Sequence, residues 1–168
     1  MSTMMEAMLG ELREEAETTK RVLERVPSDK LTWRPHAKSM SLGELAMHLA
    51  SAPAGVARFI QHDEFDISQS RPQTPQPATL AEIQAAFEQS TRAAEECLKG
   101  MSEQKAMANW RLLFKGKEVF ARPRTEVLRK IMFNHLYHHR GQLSVYLRLL
   151  DVPVPVIYGK SADENPFA

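Results

Sequence analysis

Met5, Met8, Leu12, Thr19, Val22, Leu23 and Val26 recur at spacings of three, four and seven residues. That rhythm predicts an amphipathic helix from about Thr3 to Val26, ended by Pro27. Ser28 to Met40 reads as a loop holding an isolated Trp33. Ser41 followed by Glu44 is a capping-box pair, and the stripe Leu42, Leu45, Leu49, Ala52, Val56 and Phe59 extends a second helix to about Gln61. Pro53 lies inside it, removes a backbone donor and predicts a kink that frees the Leu49 carbonyl. The polar, proline-rich run from Asp63 to Ala78 (Pro72, Pro75, Pro77) reads as a connection rather than an element. Thr79 and Glu82 form a second capping pair, opening a third helix through Leu80, Ile83, Phe87, Ala94 and Leu98 to Gly100. Cys97, next to Leu98, reads as a small core residue.

Between Met107 and Arg122 the pattern changes. Two short aromatic and aliphatic runs, Trp110 to Phe114 and Val119 to Ala121, flank Lys115-Gly116-Lys117, which predicts a small β-hairpin. A last helix then follows from about Pro123 to Asp151. Laid out at about 100° per residue, its apolar stripe is Leu128, Ile131, Met132, Tyr146, Leu149 and Leu150. The centre of that stripe is held by His135 and His139, with Gln142 one turn on. His138 falls toward the edge, and Arg140 and Gly141 point elsewhere. The closing stretch 152–168 is proline-rich with an apolar start and is expected to pack across the end of the bundle. Four helices with apolar stripes and one hairpin give an all-α fold, an antiparallel four-helix bundle in a single domain over 1–168.

Composition narrows the function. With 43% hydrophobic and 26% charged residues and a net charge of +1 spread over both signs, the chain has no basic stripe to follow a phosphate backbone, so nucleic acid is not the expected partner. No window reaches the roughly 20 apolar residues of a membrane span. The N-terminus lacks the pattern of a secretory signal, so the expected setting is cytoplasmic. A single cysteine, Cys97, excludes an intramolecular disulfide.

Histidine placement carries the chemistry. His135 and His139 are four apart on one helix face and can aim at one point, as a metal requires. His48, on the shoulder of the second helix's stripe, supplies a third imidazole. Three neutral imidazoles from two helices are a recurrent catalytic zinc set that leaves a position for water or substrate. His36 and His62 read as solvated, and His138 as a surface group. The zincin pattern H-E-x-x-H is not met, because Leu136 stands where the glutamate base would be. Three readings stay open on these residues: an enzyme with a metal centre, a non-catalytic ion that staples the bundle, and a metal-free core with hydrogen-bonded histidines.

Four stretches in order, W-R-P-H at Trp33–His36, S-M-S-L-G-E-L-A-x-H at Ser39–His48, H-x-x-H-H-R-G-Q at His135–Gln142 and P-x-x-Y-G-x-S-A-D-E at Pro155–Glu164, resemble the DinB family (DinB/YfiT-like), small damage- or stress-inducible bacterial proteins. The resemblance implies a bundle connected up-down-down-up, often a homodimer. It also implies a divalent metal on three histidines that map onto His48, His135 and His139. Relatives include thiol-dependent S-transferases and a mycothiol-dependent isomerase, so the implied function is metal activation of a thiol or water for S-transfer or hydrolysis on a small-molecule substrate. The expected cofactors are one divalent ion (zinc, nickel or iron) and a low-molecular-weight thiol. Gln142, Tyr146 and Arg140 are candidate orienting groups, and Glu44, Asp163 and Glu164 are candidate outer partners of the histidines. The alternative is a non-catalytic metal-binding stress protein.

Overall fold

Helix α1 (Thr3–Leu23) ends three residues short of Val26, because the restriction that Pro27 places on its predecessor tightens the exit into bonds from Arg25 N to Val22 O and from Val26 N to Leu23 O. The computed structural model describes residues 3–70 and 74–167. Helix α2 (Leu42–Phe59) opens on a reciprocal cap: Glu44 N–H donates to Ser41 Oγ at 3.1 Å, and Ser41 N–H donates to Glu44 Oε2 at 2.6 Å. It runs through Pro53, where the Ala54 N–H donates to Ser90 Oγ on the next long helix at 2.8 Å. That helix, α3 (Leu80–Gly100), is capped by Thr79. The Glu82 carboxylate accepts from Ala78 N–H at 3.2 Å, one residue earlier than a capping box would have it.

The order of the long helices can be read from how their halves share the core. One buried cluster joins Met5, Met8 and Leu12 of α1 to Val56 and Ile60 near the end of α2, Cys97 and Leu98 at the end of α3, and Leu128, Met132 and Phe133. A second joins Val22 and Leu23 to Leu42, Leu45 and Leu49, to Ile83 and Phe87, and to Leu136, Leu143 and Leu147. The start of α1 thus meets the ends of α2 and α3 and the start of the last helix. The result is the up-down-down-up bundle, with α2 and α3 parallel and joined by the long connection 60–79.

That connection is where the structure departs from expectation. Glu64–Asp66 forms strand β1, which pairs in parallel with β2 (Asn109–Phe114); β2 pairs antiparallel with β3 (Lys117–Pro123). The hairpin is therefore the larger part of a three-stranded sheet ordered β1-β2-β3. Of the connection's three prolines, Pro72 lies outside the described residues. The hairpin turn places Lys115 at φ 51 and Gly116 at φ 73, the left-handed pair that a two-residue turn needs. Asp66 on β1 holds it, accepting from Lys115 N–H at 3.1 Å and Gly116 N–H at 2.7 Å. A short helix α4 (Glu103–Met107) leads into the sheet.

Buried Arg124 ties the sheet side to the bundle. Its guanidinium donates to the carbonyls of Ile60, His62, Ala108 and Asn109 and to Asp63 Oδ1, which satisfies all its donors. It opens α5 (Arg124–Val127), which continues through a π-helical stretch, Leu128–Phe133, into α6 (Asn134–Leu149). The underwound stretch moves the buried face by one residue. Upstream, Leu128 and Met132 are buried as the periodicity predicts; downstream the buried positions are Leu136, Arg140, Leu143 and Leu147, each one residue after the predicted 135, 139, 142 and 146. Leu149, expected on the stripe, is 56% exposed. Arg140, expected to point elsewhere, is 1% exposed and pairs with Glu15 of α1 at 2.6 Å. Helix α6 ends at Leu149, and Asp151, with a φ of 56°, turns the chain so that Val152 N–H donates back to Leu147 O at 3.0 Å.

The tail crosses the end of the bundle as predicted. Val152, Val154 and Ile157 pack against the second cluster. Asp163 pairs with Arg148 and accepts from Val154 N–H, while Glu164 pairs with Arg25 and accepts from Val156 N–H.

Candidate metal centre

The one-residue change of face decides where the histidines stand. His135 and His139 lie beside the core rather than at its centre, half-buried, and turn toward α2. His48, five residues before Pro53 on α2, meets them there. His48 Nε2 is 3.2 Å from His135 Nε2, and His139 Nε2 is 2.9 Å from the same atom. The rings stand edge-on to one another, with centroids 4.3–4.9 Å apart. Each offers a ligating nitrogen, and these nitrogens lie within 4.8 Å of one another.

Protons alone do not satisfy this arrangement. His139 Nδ1 lies 2.7 Å from Gln142 Oε1, an acceptor, so the ring's single proton sits on Nδ1 and the Nε2 lone pair faces the other rings. His48 Nδ1 lies 3.1 Å from Thr74 Oγ1. His135 Nδ1 is buried with no partner among the described residues. Both Nε2···Nε2 contacts fall on His135, whose Nε2 has a single proton or a single lone pair to share between two neighbours, whereas a cation accepts all three lone pairs at once. Metal–nitrogen bonds of about 2.0–2.1 Å in tetrahedral geometry set ligand nitrogens about 3.3 Å apart, close to the spacings found. The residues fit a divalent ion.

Electrostatics agree. Burial lowers the pKa of His48, with His139 adding to the effect. Burial, and then His139, His48 and His138, pull His135 down to about 4. Burial also lowers His139, partly opposed by its bond to Gln142. All three are neutral at physiological pH, the form that binds metals.

The other candidates are placed as follows. Gln142 touches His139 directly. Tyr146, one turn further along the same face, donates to Met40 O at 3.2 Å and packs edge-on against Trp33, fastening the 33–40 loop to α6. Arg140 lies on a different face, donating to Thr19 Oγ1, Glu15 O and Tyr158 Oη, away from the histidines. Glu44 is engaged by Ser41 and Arg34, and Asp163 and Glu164 hold the tail. His36, His62 and His138 are exposed. Thr74 carries no signal in the sequence: it lies 26 residues from His48 in a proline-rich connection, and no periodicity links the two.

A model of the DinB family matches residues 1–165. The chain belongs to the DinB family. Its relatives include YrdA, an uncharacterised protein of Bacillus subtilis, 24% identical over 150 residues that make up 89% of this chain and 85% of YrdA. Solved structures that share the DinB fold include two from Bacillus. A DinB-like protein of Bacillus cereus superposes with a TM-score of 0.69 at 22% identity, covering 91% of this chain and 97% of its own. A DinB-like protein of Bacillus subtilis gives 0.70 at 18% identity, covering 90% and 96%. Among the described residues of this DinB chain, no helix is long and apolar enough to cross a membrane.

Proposed function

We propose that this DinB-family chain is a metal-dependent enzyme that activates a thiol or water at His48, His135 and His139 for S-transfer or hydrolysis on a small-molecule substrate. One observation carries the reading: three Nε2 atoms converge on a half-exposed point, and among the described residues no fourth histidine, cysteine or carboxylate joins them. Three protein ligands with an open side are the pattern of catalytic ions, whereas structural ions are closed by four. When bound, a divalent ion supplies the charge that ionises a coordinated thiol or water near neutral pH.

The chain's own groups do the rest. Two turns of α6 and one of α2 hold the rings, and Gln142 fixes the proton of His139 on Nδ1, leaving Nε2 free. No carboxylate belongs to the cluster among the described residues. A bound water would therefore lack a nearby base, and this favours a thiol, which a metal ion deprotonates outright.

The test is elemental analysis of protein purified without a metal-affinity tag, run beside His48→Ala and His139→Ala. About one ion per chain, lost in both variants, is the expected result. Protein that stays metal-free after reloading with zinc, nickel or iron would overturn the reading. Loaded protein is then assayed with low-molecular-weight thiols and a chlorodinitrobenzene electrophile. Tight metal without turnover across thiols and esters, together with a large fall in Tm on chelation, would replace the enzyme by a non-catalytic metal-binding protein.

A further inference from the structure

We propose that Thr74 is a positioning residue for His48, and that the segment around it is clamped to the start of α2 so as to hold that contact. The inference rests on the metal reading above. To offer Nε2 to an ion, His48 must carry its proton on Nδ1, and a proton held there needs an acceptor. The Thr74 hydroxyl is 3.1 Å away. It stands to His48 as the Gln142 carbonyl stands to His139, so the two outer rings of the trio are each gripped from behind. The middle ring, His135, has no such partner behind it among the described residues, and its Nδ1 is enclosed. Glu44, one turn before His48, would be the obvious alternative, but its carboxylate is engaged by Ser41 N–H and Arg34.

A hydroxyl in a long connection positions a ring only if the connection is itself fixed, and this one is. Thr74-Pro75-Gln76-Pro77 alternates with prolines, which confine both Thr74 and Gln76 to extended backbone. In an extended chain, residues two apart share a face, and both side chains reach toward α2. Gln76 accepts from the hydroxyl of fully buried Ser41 at 2.6 Å and donates to Leu31 O and Pro77 O at 3.2 Å. The fit leaves no room at Gly43: a Cβ there would lie 2.6 Å from Gln76 Nε2, 2.9 Å from Leu31 O and 3.0 Å from Pro77 Cγ. The glycine of the S-L-G-E run thus admits the strut that carries Thr74 to the site. The hydroxyl serves the ring, and the glycine serves the hydroxyl.

The experiment compares wild type, Thr74→Val and Thr74→Ser in the full chain. Zinc affinity is measured by competition with a chromogenic chelator, and the proton position on His48 by long-range nitrogen–proton NMR of the metal-free protein. Valine keeps the shape and removes the acceptor. It should weaken zinc roughly 10- to 100-fold and reduce the Nδ1-protonated fraction of His48 with Tm unchanged, while serine restores both. Wild-type protein that fails to bind zinc overturns the metal reading. The NMR result judges Thr74 separately, because an unchanged His48 proton position in Thr74→Val overturns its role whether or not zinc binds.

Discussion

His135 shows what a buried imidazole costs when its hydrogen bonds are incomplete. Enclosure of its Nδ1 without a partner among the described residues, and burial of all three rings, favour the neutral form. Unfolded imidazoles protonate near pH 6.5, whereas His135 protonates only at about 4 in the folded chain. Between those values the unfolded state binds more protons, so stability rises with pH across that window and is lost as acidification carries pH down toward the folded value. Metal-free protein should therefore lose Tm from about pH 7 to about pH 4.5, and His135→Leu should flatten that slope. Equal slopes in the two proteins would sink the assignment. That His48, His135 and His139 come together was legible because the i, i+4 pair and the His48 stripe are local patterns. The setting of Arg140 was not. A buried guanidinium is stable here only because Glu15, Thr19 and Tyr158, all remote in sequence, meet it.

Among the elements, those whose signals are local matched their expectations. The Ser41–Glu44 cap, the stop at Gly100 and the hairpin turn each depend on a few adjacent residues. Strand β1 escaped because its pairing partner, Arg111–Leu113, lies nearly fifty residues away, and its own three residues carry no periodicity. The π-helical stretch escaped for another reason: nothing in Leu128–Phe133 signals underwinding, yet it moves every later side chain by one position. The start of α2 makes a sharper test. On helix propensity alone, Gly43→Ala should stabilise by about 1 kcal/mol. The crowding against Leu31 O predicts the opposite, a net loss of about 1–3 kcal/mol, measured by urea denaturation. A gain in stability would mean that the 74–77 strut is not packed as described.

For the molecule as a whole, two core clusters stacked along the bundle are closed at one end by the sheet and at the other by the tail. Arg124 anchors the sheet end through four carbonyls. At the opposite end, Val152, Val154 and Ile157 cover the second cluster, and Arg148–Asp163 and Arg25–Glu164 bind the tail down. Truncation after Asp151 should uncover that cluster and cost about 2–4 kcal/mol, seen as a lower Tm and earlier unfolding in denaturant. An unchanged melt would make the tail an appendage rather than part of the core. That the tail packs was legible from its apolar start. The reach of its two acids was not, because their partners are Arg25, just past the end of α1, and Arg148 on α6.

The π-helical stretch has one more consequence, and it concerns time rather than geometry. Had the last helix kept a regular pitch, His135 and His139 would face the centre of the core, and an ion between them could be exchanged only by opening the bundle. Underwinding sets them instead at a half-exposed shoulder. Loading and release there would need no unfolding, so an ion held by these histidines would follow the supply around the folded protein and would be swapped in a chelator bath within the lifetime of a single preparation.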